Sequence, residues 1–156
     1  MGKTKFLILG LGNTLLRDDG VGIYVMREIR KQVENSDVIF QEAGVGGLEL
    51  LDLMTGFQKA IIIDAFQTGR SKIGTLNVLR PEDLAGGSAM TRHQVSFPEA
   101  LELGKQLNIE LPDEIVIYGI EVADAQTFQE QCTPELQARI PDIAEDIIQR
   151  ENLKSE

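Results

Sequence analysis

Tryptophan is absent from this chain, and cysteine and histidine occur once each, as Cys132 and His93. A single cysteine excludes an intramolecular disulfide, and with it a secreted scaffold held by such staples. Aromatic residues make up only 5% of the 156 positions, so the core must be filled by Ile, Leu and Val. Cations are scarce as well: 15 Lys and Arg against 25 Asp and Glu leave a formal net charge of −10. That balance argues against nucleic acid and against an anionic membrane surface, both of which recruit Lys and Arg. No apolar run approaches the roughly 20 residues of a membrane span. The short run Phe6-Leu7-Ile8-Leu9 is soon followed by Asn13 and Asp18, where a signal peptide would carry its cleavage region. A cytoplasmic protein without membrane insertion is expected.

What is abundant is aliphatic sequence in short runs, separated by helical periodicity. A hydrophobic share of 42% and a charged share of 26% are ordinary for a globular protein, and residues 1–156 are expected to form one domain. The alternation predicts an α/β fold, a three-layer α/β/α sandwich around a five-stranded, mostly parallel (mixed) sheet. Strands are expected at Lys5 to Leu11, Asp37 to Gln41, Lys59 to Asp64, Gly74 to Leu79 and Glu114 to Ile120. The run Ile61-Ile62-Ile63 reads as a central strand covered on both faces, and the fourth strand lies close enough in sequence to be its hairpin partner. Helices are expected from near Asp19, with Val21, Val25, Ile29 and Val33 inward, through Leu48, Leu51 and Met54, from about Gln94 to Leu107, and after Thr133-Pro134. Pro141 falls inside the apolar stripe of the last helix and is expected to kink or split it, and Asn152 to Glu156 should fray.

Three polar residues stand out by position. Asp19 lies where the first strand's loop meets a helix, Asp64 ends the most apolar strand, and His93 precedes a helix. Ligands of open α/β sheets bind beyond the carboxyl ends of the parallel strands, so these three groups could share one cleft. Two carboxylates and an imidazole suit a divalent transition ion such as nickel or zinc and leave positions open for a substrate. Each also has an ordinary structural role. Asp18 or Asp19 could cap the following helix, Asp64 could bond to main chain, and His93 could be a surface or capping residue.

Other motifs are weaker. Gly10-Leu11-Gly12 follows a strand, but Leu15 stands where a dinucleotide fingerprint needs its third glycine, so a tight turn is the better reading. Ser96, one helical turn after His93, reads as a helix residue, and Cys132 as a packing residue. Glu99, Glu102, Glu121 and Asp124 are expected on solvated faces.

The segment Gly12-Asn13-Thr14-Leu15-Leu16-Arg17-Asp18-Asp19-Gly20-Val21-Gly22 resembles the amino-terminal signature of the [NiFe]-hydrogenase maturation endopeptidases. Ile61-Ile62-Ile63-Asp64-Ala65 and Arg92-His93-Gln94 are similar to that family's second acidic strand end and its histidine segment. The resemblance implies a peptide hydrolase that removes the carboxy-terminal extension of a nickel-loaded hydrogenase large-subunit precursor. It also implies that Asp19, Asp64 and His93 are the metal-binding and catalytic residues, that the nickel comes with the substrate, that no organic cofactor is needed, and that the protease is a monomer. Many relatives carry Asp-Gly-Gly-Thr after the second strand, whereas this chain has Glu42-Ala43-Gly44-Val45, which sets the role of Glu42 apart. Two alternatives stay open at this point, a nickel-precursor assembly factor without proteolysis and a nucleotide-binding α/β module.

Overall fold

Alternation along the two most apolar strands decides the layering. In the strand β1 (Phe6–Leu11), Leu7, Leu9 and Leu11 point to one face and Ile8 to the other. In β3 (Lys59–Phe66), Ala60, Ile62 and Phe66 share the first face, while Ile61, Ile63 and Ala65 share the second. Both strands are therefore buried on both sides, as the continuous isoleucine run predicted. The computed structural model describes residues 5–44, 48–84 and 97–154. Its sheet also contains β2 (Val38–Ala43), β4 (Leu76–Leu79) and β5 (Glu114–Glu121), in the order β2-β1-β3-β5-β4. All pairs are parallel except β4 with β5, which gives the mostly parallel, mixed sheet expected.

The helices α1 (Val21–Gln32) and α4 (Pro134–Glu151) cover one face, where Val25, Met26 and Ile29 meet Leu136, Ile140, Ile143 and Ile147. On the other face, α2 (Leu48–Met54) and α3 (Phe97–Gln106) bring Leu50, Leu51, Met54, Phe97, Ala100 and Leu101 onto Leu7, Leu9 and Ile62. The sandwich is thus mostly aliphatic, with Phe66, Phe97 and Tyr118 as its buried aromatics. At about 25 cal/mol per Å² of apolar surface, burial of these two clusters is the main force holding the layers together.

Several expectations are corrected. β4 does not pair with β3; β5 lies between them. The β3–β4 connection passes over the end of β5 and is tied there, with Gly74 donating to the Glu121 carbonyl at 2.8 Å and Glu121 donating to the Thr75 carbonyl at 3.0 Å. Pro141 does not split α4, which runs unbroken to Glu151 because its buried stripe holds both halves against α1 and the sheet. Asn152 does not fray; it adopts the left-handed conformation (φ 55°) that ends α4, and Leu153 beyond it is buried. The first helix begins at Val21, preceded by a 3₁₀ turn over Arg17–Gly20. No helix among the described residues is long and apolar enough to cross a membrane.

Candidate functional site

Glycines fix how α1 meets the sheet. A Cβ on Gly22 would lie 2.1 Å from the Ile63 carbonyl oxygen and 2.8 Å from that of Leu11, so only glycine lets the start of α1 press onto the ends of β3 and β1. Gly12 turns the chain at φ 151°, and a Cβ there would fall 2.1 Å from the Asp19 carbonyl oxygen. The result is a close assembly of the loop after β1, the Arg17–Gly20 turn and the carboxyl end of β3. Asp19, on that turn, and Asp64, next to Ile63, are brought into one neighbourhood, as the topology predicts. A Cβ on Gly10 would meet the Gly22 carbonyl oxygen at 2.8 Å, so this glycine serves the close approach of α1 to β1, in keeping with a packing role for the Gly10-Leu11-Gly12 run.

Asp64 is completely buried and Asp19 is 4% exposed. Asp64 leaves the sheet on the face covered by α2 and α3, opposite to Ile63 and Ala65, and its Oδ1 accepts the Ala65 amide at 2.8 Å. Asp19 Oδ2 accepts the Asn13 amide at 2.9 Å. One oxygen of each carboxylate is therefore oriented by main chain, which fixes the direction in which it meets a ligand. His93 and Ser96 lie outside the described residues, as do Gly46 and Gly47. Among the described residues, no group of three or more His, Cys, Asp or Glu side chains is placed to hold a metal ion.

Neither aspartate caps α1. The helix starts after Gly20 without any side-chain cap, and Asp18, 0% exposed, faces the other way into the β5–α4 connection. Its Oδ2 accepts the amides of Ala123 and Asp124 and the Thr133 hydroxyl, each at 3.0 Å, and its Oδ1 accepts the Thr133 amide at 2.7 Å. Thr133 stands at the N-cap of α4 as expected, but its hydroxyl is spent on Asp18 and not on the helix. Glu121 is a fourth buried carboxylate among the described residues, contrary to the expected solvated face. It accepts the Thr68 hydroxyl at 2.7 Å and the amides of Thr68 and Gly69 at 3.0 and 2.9 Å. The signal that could have found it was the apolar run Ile115-Val116-Ile117 leading to it in the fifth predicted strand.

Other candidates separate cleanly. Glu42 accepts Arg27 Nε at 2.7 Å and Arg27 Nη2 at 3.0 Å, and this hydrogen-bonded guanidinium holds its carboxyl below the usual range. Cys132 is buried beneath α4, and burial, followed by the nearby Asp18 charge, pushes its thiol up to about 12. A thiol held neutral in this way packs; it does not attack. Beside the Asp19 loop two apolar side chains are exposed. A parallel bridge from Leu16 to Gln129 sets Leu15 (49% exposed) and Phe128 (83% exposed) in neighbouring register positions.

A family model described as HycI, hydrogenase maturation protease, matches residues 23–150. The chain belongs to the hydrogenase maturation protease family. It is 27% identical over 141 residues to the hydrogenase expression/formation protein HupD of Rhizobium leguminosarum, a match covering 88% of this chain and 69% of that one. It is also 24% identical over 147 residues to the hydrogenase 2 maturation protease of Escherichia coli, covering 92% and 88%. The solved structure of the E. coli hydrogenase maturating endopeptidase HybD superposes with a TM-score of 0.81 at 25% identity, over 95% of this chain and 93% of that one. This protease accordingly shares the α/β fold of HybD, with helices on both sides of a mixed sheet. The matched family span contains Asp64 and the position of His93 but starts after Asp19, whose case rests on the fold around Gly12 and Gly22.

Proposed function

We propose that this maturation endopeptidase, acting as a monomeric cytoplasmic domain over residues 1–156, removes the carboxy-terminal extension of a nickel-loaded [NiFe]-hydrogenase large-subunit precursor. The nickel is part of the substrate and is read by Asp19, Asp64 and His93. The observation that carries this reading is the pair of buried carboxylates, Asp19 on the turn after β1 and Asp64 near the end of β3, where Gly12 and Gly22 let that turn and α1 close onto the sheet. Carboxylates kept from water and oriented by amides present a strong negative field to an incoming cation, and an imidazole adds the nitrogen donor that nickel favours. Leu15 and Phe128 give a folded precursor an apolar contact next to that field.

In this reading the ligands dock the precursor through its nickel and so set its scissile peptide beside Asp19 and Asp64. A carboxylate there is suited to take a proton from the attacking water, and the bound nickel to polarise the peptide carbonyl. Ligation needs ionised carboxylates and a neutral imidazole, so recognition weakens as pH falls through the titration range of His93. The deciding experiment mixes the protein with nickel-loaded and nickel-free precursor and follows product mass. Loss of the tail from the loaded form alone is expected, and Asp19→Asn, Asp64→Asn and His93→Ala should each abolish it. Equal cleavage of the nickel-free precursor would overturn the recognition role of nickel. Binding without any change in mass would favour the assembly-factor alternative.

A further inference from the structure

The two adjacent aspartates of the Arg17–Gly20 turn are both buried, yet they face different partners. Asp19 turns toward the loop after β1, where it accepts the Asn13 amide. Asp18 turns toward residues 123–133 and receives all four of its donors from there. Main-chain bonds bind the same two segments: Asp18 N to the Asp124 carbonyl at 2.9 Å, Arg17 N to the Gln129 carbonyl at 2.9 Å, and Gln129 N to the Leu15 carbonyl at 2.9 Å. Arg17 sits in the left-handed region at φ 50°, a conformation that a non-glycine residue holds only when its surroundings impose it.

We propose that Asp18 is a positioning residue for the nickel-reading site. Its carboxylate clamps the turn so that Asp19, one residue on, meets the substrate metal in a fixed orientation. The inference rests on the assignment of Asp19 made above and extends it to a group that touches neither metal nor substrate. A merely structural acid could sit anywhere in the connection. This one is joined to Asp19 by a single peptide unit and ties the turn to the N-cap of α4, whose buried stripe packs in one cluster with α1. The carboxylate form is required. Its two oxygens accept three donors and one donor respectively, so an amide in its place would aim N–H groups at N–H groups whichever way it turned.

The test compares binding of nickel-loaded and nickel-free precursor to the full chain. The wild type should favour the loaded form. Asp18→Asn should reduce that preference by about 10-fold or more, the scale on which groups behind metal ligands act, with a matching fall in kcat/KM. Thr133→Val, which removes one donor and should fold normally, is expected to reduce it by about 2–3-fold. Lys59→Met, placed at the far end of the sheet, supplies a control in which lost stability leaves the preference intact. If Asp18→Asn and Thr133→Val both keep the wild-type preference while Asp19→Asn loses it, the positioning role is wrong and the site assignment stands. If Asp19→Asn also keeps it, the assignment falls and the inference with it. If Asp18→Asn does not fold, Thr133→Val decides, and an unchanged preference in that variant would overturn the proposal.

Discussion

The two ends of the sheet hold their acids in different ways. At the amino ends of the parallel strands acids meet cations: Lys59 Nζ lies 2.6 Å from Glu151 and 3.6 Å from Glu114, and Arg80 lies 3.6 Å from Glu114. Tyr118 donates its hydroxyl to the same Glu151. At the carboxyl ends, Asp18, Asp19, Asp64 and Glu121 are held by main-chain amides and threonine hydroxyls. Amide donors orient a carboxylate and lower the cost of burying it without cancelling its charge. The first end closes its own electrostatics and fastens the end of α4 to β3 and β5. The second gathers four buried acids at one end of the sheet and orients them with main-chain donors.

The largest effects should come from the carboxyl end and fall on activity. Asp64→Asn is expected to lower kcat/KM on loaded precursor by more than about 100-fold, beyond the range for groups that only support a metal ligand. Its thermal midpoint should hold or rise, since a concentrated charge that serves function commonly costs stability. Product mass and a melting curve on the same sample check both halves. A variant that melted much lower yet cleaved normally would erase the contrast between the two ends.

Gly22→Ala comes next, because it forces α1 off the Ile63 carbonyl. A cost of about 3 kcal/mol is expected from overpacking against main chain that cannot yield, together with a loss of cleavage. Lys59→Met should cost about 2–3 kcal/mol, by leaving the buried Glu151 side chain at the end of α4 without its cation, and leave cleavage per folded molecule unchanged. Denaturant unfolding beside an assay of the folded fraction separates these two. The comparison breaks if the lysine variant loses activity in the native state.

This division was only partly legible in the sequence. Periodicity gave the strands, because a sheet buried on both faces demands continuous runs such as Ile61-Ile62-Ile63, and it gave the inward stripes of α1 and α4. Strand order was hidden, since nothing in a short β4 says whether β3 or β5 will be its neighbour once a crossover has delivered β5. The positions of Asp19 and Asp64 beside the first and third strands were legible, although β3 runs two residues past Asp64 to Phe66 and does not end on it. The separate tasks of Asp18 and Asp19 were not, as consecutive acids look alike until a loop over a hundred residues later supplies the donors for one of them. Glu121 was misread for the same reason, its donors coming from the turn after β3. Pro141 misled because local propensity was set against the packing of a whole helix.

A smaller effect distinguishes the ends in alkali. Cys132 keeps its proton to about 12 in the folded protein, whereas in the unfolded chain it ionises around its ordinary value of 9.0. Its burial therefore contributes stability that is intact below pH 9 and is lost as pH rises from there toward 12, on the order of 1 kcal/mol per pH unit. Tyr118, raised by burial and by its bond to Glu151, acts in the same direction from about pH 10 upward. Unfolding free energies at pH 8 and pH 10 should thus fall more steeply for the wild type than for Cys132→Ala, while Tyr118→Phe should matter only above pH 10. Cys132→Ala should also cleave normally, and a loss of activity without loss of fold would revive a thiol nucleophile.

The smallest change is expected at Glu42, a carboxylate beside the site that behaves like those of the opposite end because Arg27 holds it in a two-pronged pair. Its carboxyl lies below the usual range when folded, so the pair contributes stability above the unfolded pKa and loses it as pH falls through the folded one. The pair is largely at the surface, and screening limits its worth to under about 1 kcal/mol. Glu42→Gln should therefore lower the melting temperature slightly at pH 7, lose that deficit against wild type near pH 3, and process loaded precursor at an undiminished rate. A severalfold fall in kcat/KM would move Glu42 out of the ion-paired class and into the one proposed to serve cleavage, and would show that the boundary between the two kinds of acid runs through β2 and not around it.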